Sequence, residues 1–190
     1  MELFLLMLNK NQKIAIYAEG SMGTLFAKMA EGVIRYSANP ITCVIDSHQA
    51  GKSVSEVCGI DKDIPILETI DEAFEFGSEV LLLGTAPSGG RLPESWIQII
   101  DKAIERGLSV VNGLHDNVND IFYSKLGSKQ WIWDIRNPIN KKPRIGAARA
   151  SFLSNQRILM IGTDMAVGKM TAGLELADSL RAEAKDVVFL

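Results

Sequence analysis

Short runs of aliphatic and β-branched residues alternate with helix-like stretches from Ile14 to Ile135, and this alternation limits the folds open to the chain. Ile14–Ala18, Ile41–Asp46, Ile64–Leu67, Val80–Gly84, Leu108–Asn112 and Trp131–Ile135 read as strands. Thr24–Tyr36, Asp71–Phe76, Ser95–Arg106 and Val118–Leu126 read as helices. The strand runs are almost continuously apolar, as expected where both faces of a parallel sheet are covered. Parallel neighbours need crossover helices, and these turn right-handed. The expected fold class is therefore α/β, a Rossmann-like doubly wound parallel sheet.

The texture changes after this region. Residues 136–157 contain Pro138 and Pro143, carry Arg136, Lys141, Lys142, Arg144, Arg149 and Arg157, and include no acidic residue. A second unit opens at Ile158 with the apolar run ILMI, a glycine-containing turn, a helix from Lys169 to about Ala184, and a second apolar run at Val187–Leu190. The expected organisation is a Rossmann-like domain over 1–140, a basic linker over 141–157 and the start of a P-loop domain over 158–190. One βα unit with a strand stub is too small to bury its own core. The sequence alone thus reads as a shortened form of a longer protein, or as a stub that packs on the first domain.

Composition removes several classes. With 47% hydrophobic and 23% charged residues, the chain is neither disordered nor low in complexity. Its 20 Lys+Arg against 23 Asp+Glu argue against a dedicated nucleic-acid binder. No apolar run approaches the roughly 20 residues of a membrane span. The opening MELFLLMLNKNQK lacks a basic n-region and a small-residue cleavage site, so it does not read as a secretory signal. Cys43 and Cys58 are not in a CxxC, and with only His48 and His115 as further soft ligands no zinc site is expected. The expectation is a cytoplasmic protein with reduced thiols, no resident metal, no nucleic-acid or membrane partner and a small-molecule substrate. A homo-oligomer is left open.

The clearest chemical motif is Gly162-Thr163-Asp164-Met165-Ala166-Val167-Gly168-Lys169-Met170-Thr171, which follows an apolar run and opens a helix. In that setting, backbone N–H groups and the positive helix end converge on an anion, and a lysine adds a point charge. The spacing is unusual. Five residues separate Gly162 from Gly168 where the common loop has four, and Met170 stands where a hydroxyl usually follows the lysine. Thr171 is one place late, which rotates it by about 100° on the helix. Phosphate binding is expected here, and Mg²⁺-dependent ATP cleavage is the weaker reading.

In an open parallel sheet, ligands bind beyond the carboxyl ends of the strands. The residues expected there are polar: Glu19, Gly20, Ser21 and Gly23; Asp46, Ser47, His48, Gly51 and Lys52; Thr85 to Arg91; and Gly113 to Asp116. The first loop holds only GxxG, a weak dinucleotide signal, although Asp46 ends the second strand where an acidic residue can bond a ribose hydroxyl. Arg91, beside Gly89 and Gly90, reads either as a clamp for a carboxylate or phosphate or as a surface arginine. His115 beside Asp116 reads either as a general base with a carboxylate neighbour or as a bystander next to a helix cap.

Taken together, GTDMAVGKMT followed by LELADSLRA, with AEGSMGTLFAKMAEGVIRY, VIDSHQAGK, LLLGTAPSGGRLPESW, GLHD and DIRNP in that order, resembles the DgcN-like family. That family, formerly one of unknown function, takes its name from a D-glutamate N-acetyltransferase. The resemblance covers the whole chain and implies a Rossmann-like domain followed by a P-loop domain. It implies transfer of an acetyl group from acetyl-CoA to the amine of D-glutamate or a similar acidic amino acid. Gly162, Thr163, Asp164, Val167, Gly168, Lys169, Met170 and Thr171 would then form the cofactor loop, cradling the CoA pyrophosphate. Acyl transfer needs no metal, so Met170 is tolerable in that loop. By location, His115, Asp116 and Glu19 are the candidate bases, and Gly20, Asp46, Gly90 and Arg91 the candidate substrate-binding residues. The loop alone is also similar to that of dethiobiotin synthetases, which use ATP. An ATP- and Mg²⁺-dependent ligase or kinase, a non-catalytic nucleotide-binding protein and a simple NAD oxidoreductase are the competing readings.

Overall fold

The structure, a computed structural model, describes residues 8–136, 146–164 and 167–189. The chain divides into two compact units, Met1–Lys141 and Lys142–Leu190. In the first, β1 (Ile14–Tyr17), β2 (Ile41–Ile45), β3 (Ile66–Leu67), β4 (Val80–Leu83), β5 (Ser109–Asn112) and β6 (Ile132–Asp134) form one sheet in the order β3-β2-β1-β4-β5-β6. Every pairing is parallel. The chain winds outward from β1 to β3, crosses to β4 beside β1, then winds outward the other way, placing a topological switch point between β1 and β4.

Alternation along the strands explains why the runs are apolar throughout. Ile14, Ile16, Val44, Ile66, Val80, Leu82 and Val111 face one core, shared with Ala30 and Ile34 of α1 (Lys28–Tyr36) and Val54 of α2 (Val54–Cys58). Ala15, Tyr17, Cys43, Ile45, Leu81, Leu83 and Val110 face the other. That second core is completed by α3 (Ile70–Glu75), α4 (Glu94–Glu105) and α5 (Val118–Phe122), through Ile70, Trp96, Ile100, Ile104 and Phe122. Burying both faces removes from water most of the large side chains in the strands, at roughly 25 cal/mol per Å² of apolar surface.

The expected elements recur with shifted ends. The helix expected from Thr24 starts as a 3-10 turn at Leu25–Ala27, capped by the Thr24 hydroxyl, before α1. The helix expected to reach Leu126 stops at Phe122 and continues as a 3-10 turn, Tyr123–Lys125. The strand expected at Ile64–Leu67 is the two-residue Ile66–Leu67, and residues 51–54 pair along its outer edge: Gly51 N–H donates to the Ile66 carbonyl and Ile66 N–H to that of Lys52. Helix α2 was not expected. It is held by a capping box in which Ser53 and Glu56 bond each other's backbone N–H. Those bonds hold the Glu56 carboxyl below its usual range.

In the second unit, the longest helix among the described residues is α6 (Lys169–Ala182). Ala177 is buried on it, and Gly173 lies so close to the Phe189 ring that a methyl group there would sit 2.8 Å from it. The strands expected at 158–161 and 187–190 do not form a ladder over their described residues, and Ile158, Leu159 and Ile161 are exposed. An extended segment becomes a strand only when a neighbour takes up its N–H and C=O groups. Leu190, the opening residues 1–7 and the linker residues 137–145, with Lys141, Lys142 and Arg144, lie outside the described residues. Among the described residues, no helix is long and apolar enough to cross a membrane.

Candidate functional site

Two groups of the expected residues gather at the carboxyl edge of the sheet. The first lies around the loop after β1. Asp46, wholly buried at the end of β2, turns its carboxylate onto that loop. Its Oδ1 accepts the N–H of Gly20 at 2.9 Å and of His48 at 3.0 Å; its Oδ2 accepts the N–H of Ser21 at 3.2 Å and of Met22 at 2.8 Å. The carboxylate expected to meet a ribose or substrate hydroxyl is thus spent on backbone. A carboxylate offers about four lone-pair positions, and four donors take them. Gly20 contributes its N–H to the same contact and lies under the His48 ring.

Glu19 reaches across to the β2 loop, where it accepts the Ser47 N–H at 3.0 Å and the Ser47 hydroxyl at 2.5 Å. Both carboxylates act on Tyr17 through their charge. Burial, followed by the negative charges of Glu19 and Asp46, pushes the Tyr17 phenol up to about 12. The Ser21 and Thr85 hydroxyls, 3.1 Å apart and both buried, join this loop to the end of β4 across the switch point.

The second group is a clasp between the loops after β4 and β5. His115 N–H donates to the Gly90 carbonyl at 2.8 Å, and its exposed imidazole lies against the Gly90 α-carbon. The Arg91 guanidinium meets Asp116 Oδ1 at 2.9 Å, while Leu92 N–H donates to Asp116 Oδ2 at 2.6 Å. Both oxygens of Asp116 are therefore engaged in holding the loop. The Arg91 side chain is 73% exposed, and a planar fork bound along one edge still presents donors on another.

Beneath the clasp is a network absent from the sequence reading. Buried Asn112 Nδ2 donates to the Asp116 carbonyl at 2.8 Å and to Asp134 Oδ1 at 2.7 Å; its Oδ1 accepts the Leu114 N–H at 2.9 Å. Asp134, at the end of β6, also accepts the N–H groups of Val118 and Asn119. It supplies from a neighbouring strand the cap that Asn117 does not make for α5. The available signal was a polar residue at or next to the end of each apolar run, Asn112 and Asp134.

In the second unit, the glycine turn opens α6 as expected. Gly168 has φ +88°, a left-handed conformation that suits glycine, and its carbonyl accepts the Ala172 N–H. Lys169 folds back over the turn, its Nζ donating to the Asp164 carbonyl at 2.5 Å and its stem lying against Gly162. Among the described residues it meets this one acceptor, and an ammonium has three donors, so the lysine fits a phosphate-binding role. Gly162, Thr163, Asp164 and Val167 are exposed around it, and Met170 and Thr171 are exposed in the first turn of α6.

Comparison with known proteins places these features in a family. The N-terminal Rossmann-like domain of DUF1611, a domain of unknown function, matches residues 47–138, and the C-terminal P-loop domain of the same family matches residues 144–190. A D-glutamate N-acetyltransferase of Pseudoalteromonas sp is 34% identical over 124 residues, 64% of this chain and 36% of the relative. Another D-glutamate N-acetyltransferase, from Tritonibacter scottomollicae, is 26% identical over 138 residues, 71% of this chain and 40% of the relative. The crystal structure of a DUF1611 family protein from Anabaena variabilis superposes with a TM-score of 0.83 at 35% identity, covering 91% of this chain and 51% of that one. The aligned region thus spans about half or less of the length of each of these proteins. With both of its domains matched in order, the chain belongs to the DUF1611 family, an α/β protein with a Rossmann-like N-terminal domain and a C-terminal P-loop domain.

Proposed function

We propose that the chain belongs to an N-acyltransferase that moves an acetyl group from acetyl-CoA to the amine of a small acidic amino acid of the D-glutamate kind. The observation that carries this reading is the clasp: an exposed guanidinium and an exposed imidazole on adjoining loops, in a chain whose named relatives are D-glutamate N-acetyltransferases. The substrate ammonium loses one proton to become a nucleophile. Its nitrogen then attacks the thioester carbonyl carbon, the C–N bond forms, the C–S bond breaks, and CoA leaves as the thiol. The net products are the N-acetyl amino acid, free thiol and one proton.

The residues divide this work. Arg91 takes a substrate carboxylate on the edge of its guanidinium away from Asp116. His115 accepts the amine proton on a ring nitrogen, since a neutral imidazole carries one nitrogen that acts as an acceptor. Gly162, Thr163, Asp164, Val167, Gly168, Met170 and Thr171 cradle the CoA phosphates through backbone N–H groups, together with the Lys169 ammonium. Glu19 and Asp116 hold their loops.

The test is thiol release from acetyl-CoA with D-glutamate, L-glutamate or no acceptor, beside calorimetric titration of acetyl-CoA. D-glutamate-dependent release is expected to fall at least about tenfold in Arg91→Ala through KM, and in His115→Ala through kcat. Lys169→Ala is expected to weaken acetyl-CoA binding itself. No acceptor-dependent thiol release, or ATP hydrolysis in its place, would overturn the reading.

A further inference from the structure

In a doubly wound sheet of this order, the loop after β1 is where a dinucleotide's pyrophosphate settles, on converging backbone N–H groups. The same convergence is present here. The N–H groups of Gly20, Ser21 and Met22 point to one spot, and that of His48 joins them from the β2 loop. The spot is already filled. The Asp46 carboxylate lies in it at 2.8–3.2 Å from all four nitrogens, wholly buried.

We propose that this loop is an anion nest occupied by the chain's own carboxylate, so that the Rossmann-like domain takes no dinucleotide pyrophosphate at the switch point and admits an inorganic oxyanion there only when Asp46 is removed. Three features make the occupancy stable. Asp46 projects from the end of β2, which is in parallel register with β1 through Tyr17 and Ile45, so the strand pairing sets it beside the loop. Two of the four bonds, those from Ser21 and Met22, are buried, and charged acceptors bond N–H donors about twice as strongly as neutral ones. Glu19 and its bonds to Ser47 tie the β1 and β2 loops together over the same region. A phosphate brought to these N–H groups would have to expel a carboxylate covalently fixed in place, beside a second carboxylate of the same sign. The inference is independent of the acyl-transfer reading, which uses the β4 and β5 loops and the second unit.

The test is run in a Lys169→Ala background, which disables the phosphate loop of the second unit, and compares the chain unaltered at Asp46 with Asp46→Ala. Removing the side chain leaves the nest without its anion, and phosphate or sulfate at about 50 mM should raise the Tm of the variant by about 2–4 °C more than chloride at matched ionic strength. The unaltered chain should show no such difference. NADH titrated into the unaltered chain, followed by nicotinamide fluorescence, should show no saturable binding at concentrations up to about 1 mM. An equal oxyanion response in both proteins, or saturable NADH binding by the unaltered chain, would overturn the proposal. If Asp46→Ala aggregates, recovery of its fold in phosphate but not in chloride supports the proposal, and the NADH titration tests it without the variant.

Discussion

The imidazole of His115 packs on the α-carbon of Gly90 so closely that a methyl group there would sit 2.5 Å from ring Cδ2 and 3.0 Å from Nε2. Gly90 also has φ +66°, a left-handed conformation. The pair therefore accepts glycine for two separate reasons, backbone conformation and the space taken by the ring.

Gly90→Ala tests this contact. The left-handed backbone and the displaced ring together should cost about 1–3 kcal/mol of stability, read from the urea midpoint. Under the proposed chemistry, D-glutamate-dependent thiol release should fall at least about tenfold while acetyl-CoA binding is unchanged, since His115 and Arg91 share this clasp. Unchanged stability and unchanged turnover would show that the ring moves aside freely.

The raised Tyr17 phenol gives a pH prediction with a definite sign. Its ordinary value is 10.0, and burial with the nearby carboxylates pushes it up to about 12. Between those values the unfolded chain has lost the proton and the folded chain keeps it. Stability from this group is therefore constant below about pH 10 and falls from there to about pH 12, by at most roughly 1.4 kcal/mol per pH unit. Tyr17→Phe should show a shallower decline over that window in denaturant titrations. Parallel curves for the two proteins would contradict the assignment.

Asp134→Ala should be among the more damaging single changes in the first unit. It would remove one of the two acceptors of the buried Asn112 amide and the side-chain acceptor of the Val118 and Asn119 N–H groups. Leaving such donors unpaired should cost about 2–4 kcal/mol, measured by urea unfolding. Asp134→Asn, which keeps one acceptor oxygen, should fall between the two. A loss below about 0.5 kcal/mol for the alanine variant would mean the network adds nothing to the fold.

Several features were legible without coordinates because their physics is local. Strands buried on both faces must be apolar at successive positions, so Ile14–Tyr17, Val80–Leu83 and Ser109–Asn112 stood out as runs, and the helices between them implied parallel pairing. The turn from Gly162 to Lys169 was legible because glycine conformation and helix opening depend on neighbours in sequence. Even the unexpected α2 was marked, by Ser53 and Glu56 at capping-box spacing.

What only the tertiary structure decided is the use of the polar residues. An aspartate at the end of β2 is compatible with a ribose hydroxyl or with a backbone loop, and nothing near it in sequence distinguishes them. The register of β1 beside β2 distinguishes them, by bringing Gly20, Ser21 and Met22 to within hydrogen-bonding distance of Asp46. Adjacency of β4 and β5 likewise sets Arg91 against Asp116 and Gly90 against His115, and adjacency of β5 and β6 sets Asn112 against Asp134. The sequence determined which segments form the sheet, since each must bury its own side chains. Strand order decided which carboxylates hold loops and which side chains stay exposed, since hydrogen-bond partners distant in sequence exist only once the strands are side by side.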